Sequence, residues 1–325
     1  METVMANGNG NPAIEALPQV TRVYQNHALD STRWQGYQPR RGDIFITTSY
    51  KSGTTWMQEI VRQLIFCGQA VPERDEVSIK QISPWVEHRG TPIKDVLARL
   101  EAQSHQRFMM THLAADALPY FPEVNYLVVG RDARDVAMSL WNHYAGMADA
   151  LFQNRETLPN QDFDPLPPPP PDVHAFWRDW ISRGWFAWEQ EGYPFWGNLS
   201  HTQSWWPYRH LPNILFVHYN DLKEELAGEV RRIADFLAIP VADDLLSSIL
   251  HAVNLDVMRE REDRLQSPLL KALKNGANTF YYKGTNGRWR DVLSAEEVAL
   301  YDKTAATVLT PDCRAWLEQG RKAGL

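Results

Sequence analysis

The chain has 325 residues, 44% of them hydrophobic and 22% charged, with a formal net charge of −7. This is an ordinary globular composition, enough chain for one large domain or two small ones. The acidic balance excludes a broad basic face for nucleic acid, though not a few cations gathered around a small anion, and no apolar run is long enough to span a bilayer.

Residues 1–20 lack a basic start followed by an apolar run, so they read as a flexible tail rather than a signal peptide, with an Asn/Gly-rich stretch at 5–11. "DIFITTS" (43–49) reads as a strand, and the spacing of Met57, Ile60, Val61 and Leu64 predicts a helix that stops at Gly68. "RFMMTH" (107–112) and "NYLVVGRD" (125–132) read as further strands, the second followed by Val136, Leu140, Tyr144 and Met147 on one helical face. "PLPPPPPD" (165–172) predicts an extended surface segment, since it suits neither a helix nor an inner strand. Seven of the thirteen tryptophans fall between Trp177 and Trp206, and most are expected in the core.

"NILFVHYND" (213–221) predicts another strand, with Leu226, Val230, Ile233 and Leu237 on the helix after it. Ser294 and Glu297 form an S-x-x-E capping box opening a helix to about Leu309, within a mostly helical final third. Alternating strands and helices predict a parallel sheet covered by helices. No repeat or linker divides the chain, which favours one domain over residues 21–325. Cys67 and Cys313 lie far apart in no ligand-spaced cluster, as expected of a reduced, cytoplasmic chain without a disulfide framework.

The stretch "FITTSYKSGTTWMQEIV" (45–61) runs from strand to helix through a small polar turn. The first amides of a helix lack internal partners and sit at the positive end of its dipole, so Ser52 to Thr55 suit a phosphate. Gly53 permits close backbone approach, and the Thr54 and Thr55 hydroxyls add donors. A nucleotide kinase places its loop lysine after the second glycine and holds magnesium with the next Ser/Thr. Here Lys51 precedes Gly53, and Arg131 stands near where a metal-binding acid is wanted. The residues point to metal-independent group transfer.

The loop resembles the 5′-phosphosulfate loop of the cytosolic sulfotransferase family, which uses 3′-phosphoadenosine 5′-phosphosulfate (PAPS). "VGRDARDVAMSLWNHY" (129–144) resembles that family's 3′-phosphate motif, and "YYKGTNGRWRD" (281–291) its late K-G-x-x-G-x-W signature. The three occur in the family's order across roughly residues 40–291. The resemblance implies a three-layer, P-loop-like α/β fold. It implies that Lys51, Ser52, Gly53, Thr54, Thr55 and Trp56 hold the 5′ end of the donor and the adenine. Arg131 and Ser139 would bind the 3′-phosphate, Tyr219 would contact the nucleotide, and Lys283 and Gly284 would close over that phosphate. PAPS would be released as 3′-phosphoadenosine 5′-phosphate (PAP), with no metal.

Transfer to a hydroxyl or amine needs a base for the acceptor proton. His112, in the T-H-L context after a strand, matches the family's catalytic position. Lys51 would steady the leaving phosphate. By position Trp85, His88 and His143 would line the site of a small, aromatic or hydrophobic acceptor, with 145–171 as a lid. Two departures stand out. Many relatives carry lysine where this chain has Met110, which removes a second cation. Many also carry a basic residue where it has Tyr282, a loss of about 1–3 kcal/mol in grip on the 3′-phosphate unless replaced. The family's short pairing motif, K-x-x-x-T-V-x-x-x-E, is matched here only by Arg290, Ser294, Ala295 and Ala299, so pairing through it is not expected and the oligomeric state stays open. A P-loop small-molecule kinase and a nucleotide-binding protein without turnover remain as alternatives.

Overall fold

The computed structural model describes residues 17–153, 163–265 and 268–324, so most of the expected tail and residues 154–162 of the expected lid lie outside the described residues. Strands β1 (Ile44–Thr48), β2 (Phe108–Thr111), β3 (Asn125–Gly130) and β4 (Ile214–His218) form one parallel sheet in the order β2-β1-β3-β4. The fourth strand is shorter than the sequence suggests. His218 caps the helix Tyr219–Glu224, its Nδ1 accepting the Asn220 N–H at 3.1 Å while Nε2–H donates to the Leu317 carbonyl at 2.9 Å. That cap turns the backbone out of the sheet.

Period-two alternation along the strands feeds two cores. Phe45, Met109, Tyr126 and Val128 face one side, and Ile44, Ile46, Phe108, Leu127 and Val129 the other. The second side is covered by the helices Thr54–Ile65, Leu226–Phe236 and Asp243–Ala252. In the first of these Met57, Ile60, Val61 and Leu64 are fully buried. Each such side chain contributes roughly 1.5–3 kcal/mol by leaving water.

The opposite side is covered by Ala133–Ala145, Val173–Ser182, Leu199–Trp205, Ala295–Val308 and Pro311–Gln319. Trp177, Trp180, Trp196, Trp205 and Trp206 are buried there, whereas Trp188 is 38% exposed. Val136, Leu140 and Tyr144 pack inward from Ala133–Ala145. Met147 falls just beyond that helix, which Gly146 caps, yet it joins the same core and bridges to Leu273. The proline-rich stretch adopts neither helix nor strand.

After His218 the described chain is helical, with no further strand. Among the described residues no helix is long and apolar enough to cross a membrane. Cys67 and Cys313 are both free thiols.

The predicted capping box is complete: the Ser294 side chain accepts from the Glu297 N–H, and the Glu297 side chain reaches back to the Ser294 N–H. The Glu297 carbonyl also accepts from Trp177 Nε1 at 3.0 Å, joining the cap to the buried tryptophans. Ser294→Ala should therefore lower the unfolding free energy by about 1 kcal/mol. Urea denaturation measures this, and an unchanged midpoint would contradict it.

Candidate active site

In an open α/β sheet, ligands bind beyond the carboxyl ends of the strands where the strand order reverses. Here the chain steps from β1 outward to β2, then returns to the other side of β1 with β3. Thr47 pairs with Thr111, and Thr48 with Val129, so β1, β2 and β3 end near one level. Lys51, His112 and Arg131 follow those ends and converge on one cavity.

The loop after β1 is locked from beneath. Ser49 and Ser52 share a hydrogen bond at 2.6 Å, and Asn198 Nδ2 donates to both hydroxyls. Asn198 is itself held by the buried Glu191 carboxylate, which accepts its N–H at 2.9 Å and two donors from Ser200. Gly53 has φ 112°, and an added Cβ would come within 3.0 Å of the Tyr219 ring, so glycine is required there. Lys51 sits at φ 62°, where a side chain costs about 1–3 kcal/mol. No side chain caps the helix Thr54–Ile65, which leaves its first amides for a ligand.

The cations around this loop have no carboxylate partner within ion-pairing distance among the described residues. Lys51 Nζ lies 4.8 Å from the Phe280 ring centre. Burial, then Arg131 and Lys80, push its amine down to about 7. Arg131 is 5% exposed and spends its donors on neutral acceptors: the Lys51 carbonyl at 3.2 Å, the Thr285 carbonyl at 3.3 Å and Asn286 Oδ1 at 2.9 Å. Its guanidinium lies 4.1 Å over the Tyr219 ring, and its buried Nε has no partner. Asp132 takes no part, because it caps the next helix and pairs with Arg134 at 2.6 Å. Unpaired charge and an unsatisfied donor are what a bound anion corrects.

His112 is oriented by two sets of contacts. Its Nδ1 lies 2.8 Å from the Thr48 carbonyl. A carbonyl only accepts, so Nδ1 carries the proton and Nε2 keeps its lone pair. Its backbone N–H donates to Glu87, a carboxylate that also accepts from Thr111 and Trp34 Nε1. Aromatic rings surround the imidazole: Trp85 edge-on at 4.9 Å, Tyr50 at 5.0 Å and Trp196 at 5.6 Å. Burial dominates its titration and pushes it down to about 4.

Of the residues expected from sequence, Lys51, Gly53, Thr54, Thr55, Trp56, Trp85, His112, Arg131, Ser139, His143, Tyr219, Lys283 and Gly284 reach the cavity wall. Ser52 and His88 do not: Ser52 is buried under the loop, and His88 stacks on Trp85 at 4.6 Å. Gly284 has φ 60°, and a Cβ there would meet Leu255 at 2.9 Å. Tyr50, Lys80, Phe280 and Arg288 also line the wall, and Glu87 and Asn198 stand behind it, none of them among the residues expected from sequence. Tyr50, next to Lys51, had an available signal. Lys80 and Asn198 lie in unpatterned segments, with no local mark of their role.

The fold and site together define a three-layer α/β protein with a strand-to-helix loop and a cation-lined cavity at the head of its sheet. A family model, "Sulfotransferase domain", matches residues 41–311. The chain is 31% identical to a glycolipid sulfotransferase of Mycobacterium bovis, with 92% of this chain and 95% of the relative covered. It is 26% identical to sulfotransferase 1A1 of Rattus norvegicus, covering 83% and 85%. A solved structure of retinol dehydratase in complex with androsterone and the inactive cofactor PAP superimposes with a TM-score of 0.64 at 22% identity, covering 87% of each chain. The chain belongs to the sulfotransferase family and is an enzyme of that class.

With burial holding the imidazole neutral, an NMR titration of His112 should give a midpoint near 4. A midpoint of 6 or above would mean that the ring is solvated or paired with an acid.

Proposed function

We propose that the protein is a PAPS-dependent sulfotransferase that moves a sulfuryl group onto a hydroxyl or amine of a small aromatic or hydrophobic acceptor. One observation carries this reading: a neutral histidine with a bare Nε2 shares its cavity with a loop lysine and a buried arginine that form no ion pair with a carboxylate among the described residues. When bound, PAPS supplies a sulfuryl group whose bond to the 5′-phosphate oxygen breaks as the acceptor atom bonds to sulfur.

The chain's own groups then have assigned tasks. His112 Nε2 accepts the acceptor proton, and the Thr48 carbonyl stabilises the imidazolium through Nδ1–H. Lys51 and the amides of residues 53–55 face the oxygen on which charge collects. Arg131, Ser139 and Lys283, all on the cavity wall, would hold the 3′-phosphate, with Trp56 against the adenine and Tyr219 against the nucleotide. Arg288 lines the same cavity and lies 5.0 Å over the Tyr282 ring, so it supplies the cation that Tyr282 lacks.

Tyr50, Trp85, Met110 and Phe280 give the acceptor side an aromatic and apolar wall. The mycobacterial relative is named for a glycolipid acceptor. We read residues 21–325 as one sulfotransferase domain, supported by a match over 41–311 and by two cores sharing one sheet. A cytoplasmic setting is in keeping with the two free thiols.

The test supplies PAPS and a panel of phenols, alcohols and amines, and reads product by mass spectrometry. The expected product is heavier by one SO3 unit. His112→Ala should abolish most turnover while PAP binding stays within about twofold, because the base acts on the acceptor proton and not on the adenosine. Near-normal turnover by that variant would remove His112 from its role.

The pH dependence follows from Lys51. Its pKa is depressed to about 7, so the ammonium that attracts an anion is present below that value and lost above it. Donor affinity should fall as pH rises through 7 to 8, as read by titration with PAP. Affinity that is flat or rising over that window would exclude Lys51 as an anion contact.

A further inference from the structure

We propose that Lys80 is a further catalytic residue, its ammonium contacting the sulfuryl end of the donor from the edge of the sheet at β2; this rests on the sulfotransferase reading above. Lys80 lies on the one-turn helix Ile79–Ile82, where Ile79 and Ile82 are buried at 3% and 5% exposure. Those two residues, three apart, fix the inward face of the turn. Lys80 is left on the outer face and stands on the cavity wall.

The turn is held on two sides. Gln58, from the helix of the phosphate loop, donates from Nε2 to the Ser83 carbonyl at 3.1 Å and to its hydroxyl at 2.8 Å. The Met110 N–H donates to the Pro84 carbonyl at 3.1 Å, and Trp85 bridges to Met110. These contacts tether the turn that carries Lys80 to the helix that follows Lys51 and to the strand that leads into His112.

Lys80 makes no hydrogen bond, and no ion pair within 4 Å, among the described residues. Its field nonetheless reaches Lys51, His112 and His143, disfavouring the charged form of each. The side chain stays accessible from the open cavity, yet protein surrounds it densely enough for burial to push its amine down to about 8, against the opposing pull of Glu262. Met110, the neighbouring wall residue from β2, offers no charge. A surface lysine held for solvation alone has no reason to be stapled between these two elements.

The chemistry gives this ammonium a task. As the acceptor oxygen or nitrogen bonds to sulfur, the bond from sulfur to the 5′-phosphate oxygen breaks, and the electron pair leaves with the phosphate. The acceptor proton goes to His112. Lys80 forms no covalent bond; its N–H groups stabilise charge on the sulfuryl oxygens while Lys51 serves the bridging oxygen.

The test compares PAPS with PAP, which lacks only the sulfuryl group, by titration calorimetry. Wild type should bind both. Lys80→Met should bind PAPS about tenfold more weakly while its PAP affinity stays within about twofold, and Lys80→Arg should recover most of the loss. Retained PAP binding also shows that the variant is folded. Equal weakening of both nucleotides would place Lys80 on the phosphates, and no weakening of either would leave it a solvated surface lysine; either result overturns the proposal. Wild type that binds neither nucleotide would overturn the donor reading itself, and the Lys80 assignment with it.

Discussion

The arrangement of this site depends on the Arg131 guanidinium, which is buried with no carboxylate in ion-pairing distance among the described residues. Placing an unpaired charge out of water is costly, and the protein offsets that cost only in part. Three neutral oxygens accept from Arg131, and the Tyr219 ring lies under its face. Those partners come from separate parts of the chain: the phosphate loop, the late segment around residues 285–286 and the start of the helix after β4. One side chain therefore joins the three motifs. Asp135, the acid one helical turn along, accepts the Gly287 N–H on its Oδ1 and so holds the late segment, while its charge acts on Arg131 without forming an ion pair with it.

A second constraint acts on His112. Burial among aromatic rings keeps the imidazole neutral, and the Thr48 carbonyl decides which nitrogen bears the proton. The cations and the neutral imidazole are thus supplied by strands of one sheet. The cations gather at the loop after β1 and at the end of β3, while the His112 imidazole stands at the end of β2. Both depend on the strands ending near the same level, which the buried alternation of the sheet enforces. The Glu87 carboxylate, fully buried and accepting three donors, extends that alignment to the segment carrying Trp85.

Much of this was legible in the sequence, for local reasons. The helix Thr54–Ile65 announced itself through Met57, Ile60, Val61 and Leu64, because helical spacing and burial are the same constraint seen twice. The capping box at Ser294 was legible because its partners are three residues apart. His218 misled the reading of β4, since a histidine that caps a helix looks no different from one ending a strand. His88 was expected at the acceptor wall, but its ring stacks behind Trp85, and no sequence pattern distinguishes those two orientations. Asn198 and Lys80 were invisible for a different reason. Ser49 and Ser52, which Asn198 holds, lie far away along the chain, and Lys80 is set at the cavity by a turn that the distant Gln58 holds, so only the folded sheet gives either residue meaning.

The central claim is that the buried charge of Arg131 exists for the 3′-phosphate of the donor. The most direct measurement compares PAP with adenosine 5′-monophosphate, which lacks that group, by titration calorimetry of wild type and Arg131→Met. The account predicts that wild type prefers PAP by at least about a hundredfold and that the substitution removes most of that preference while leaving the monophosphate's affinity nearly unchanged. Equal affinity of wild type for the two nucleotides, or an undiminished preference in Arg131→Met, would contradict it.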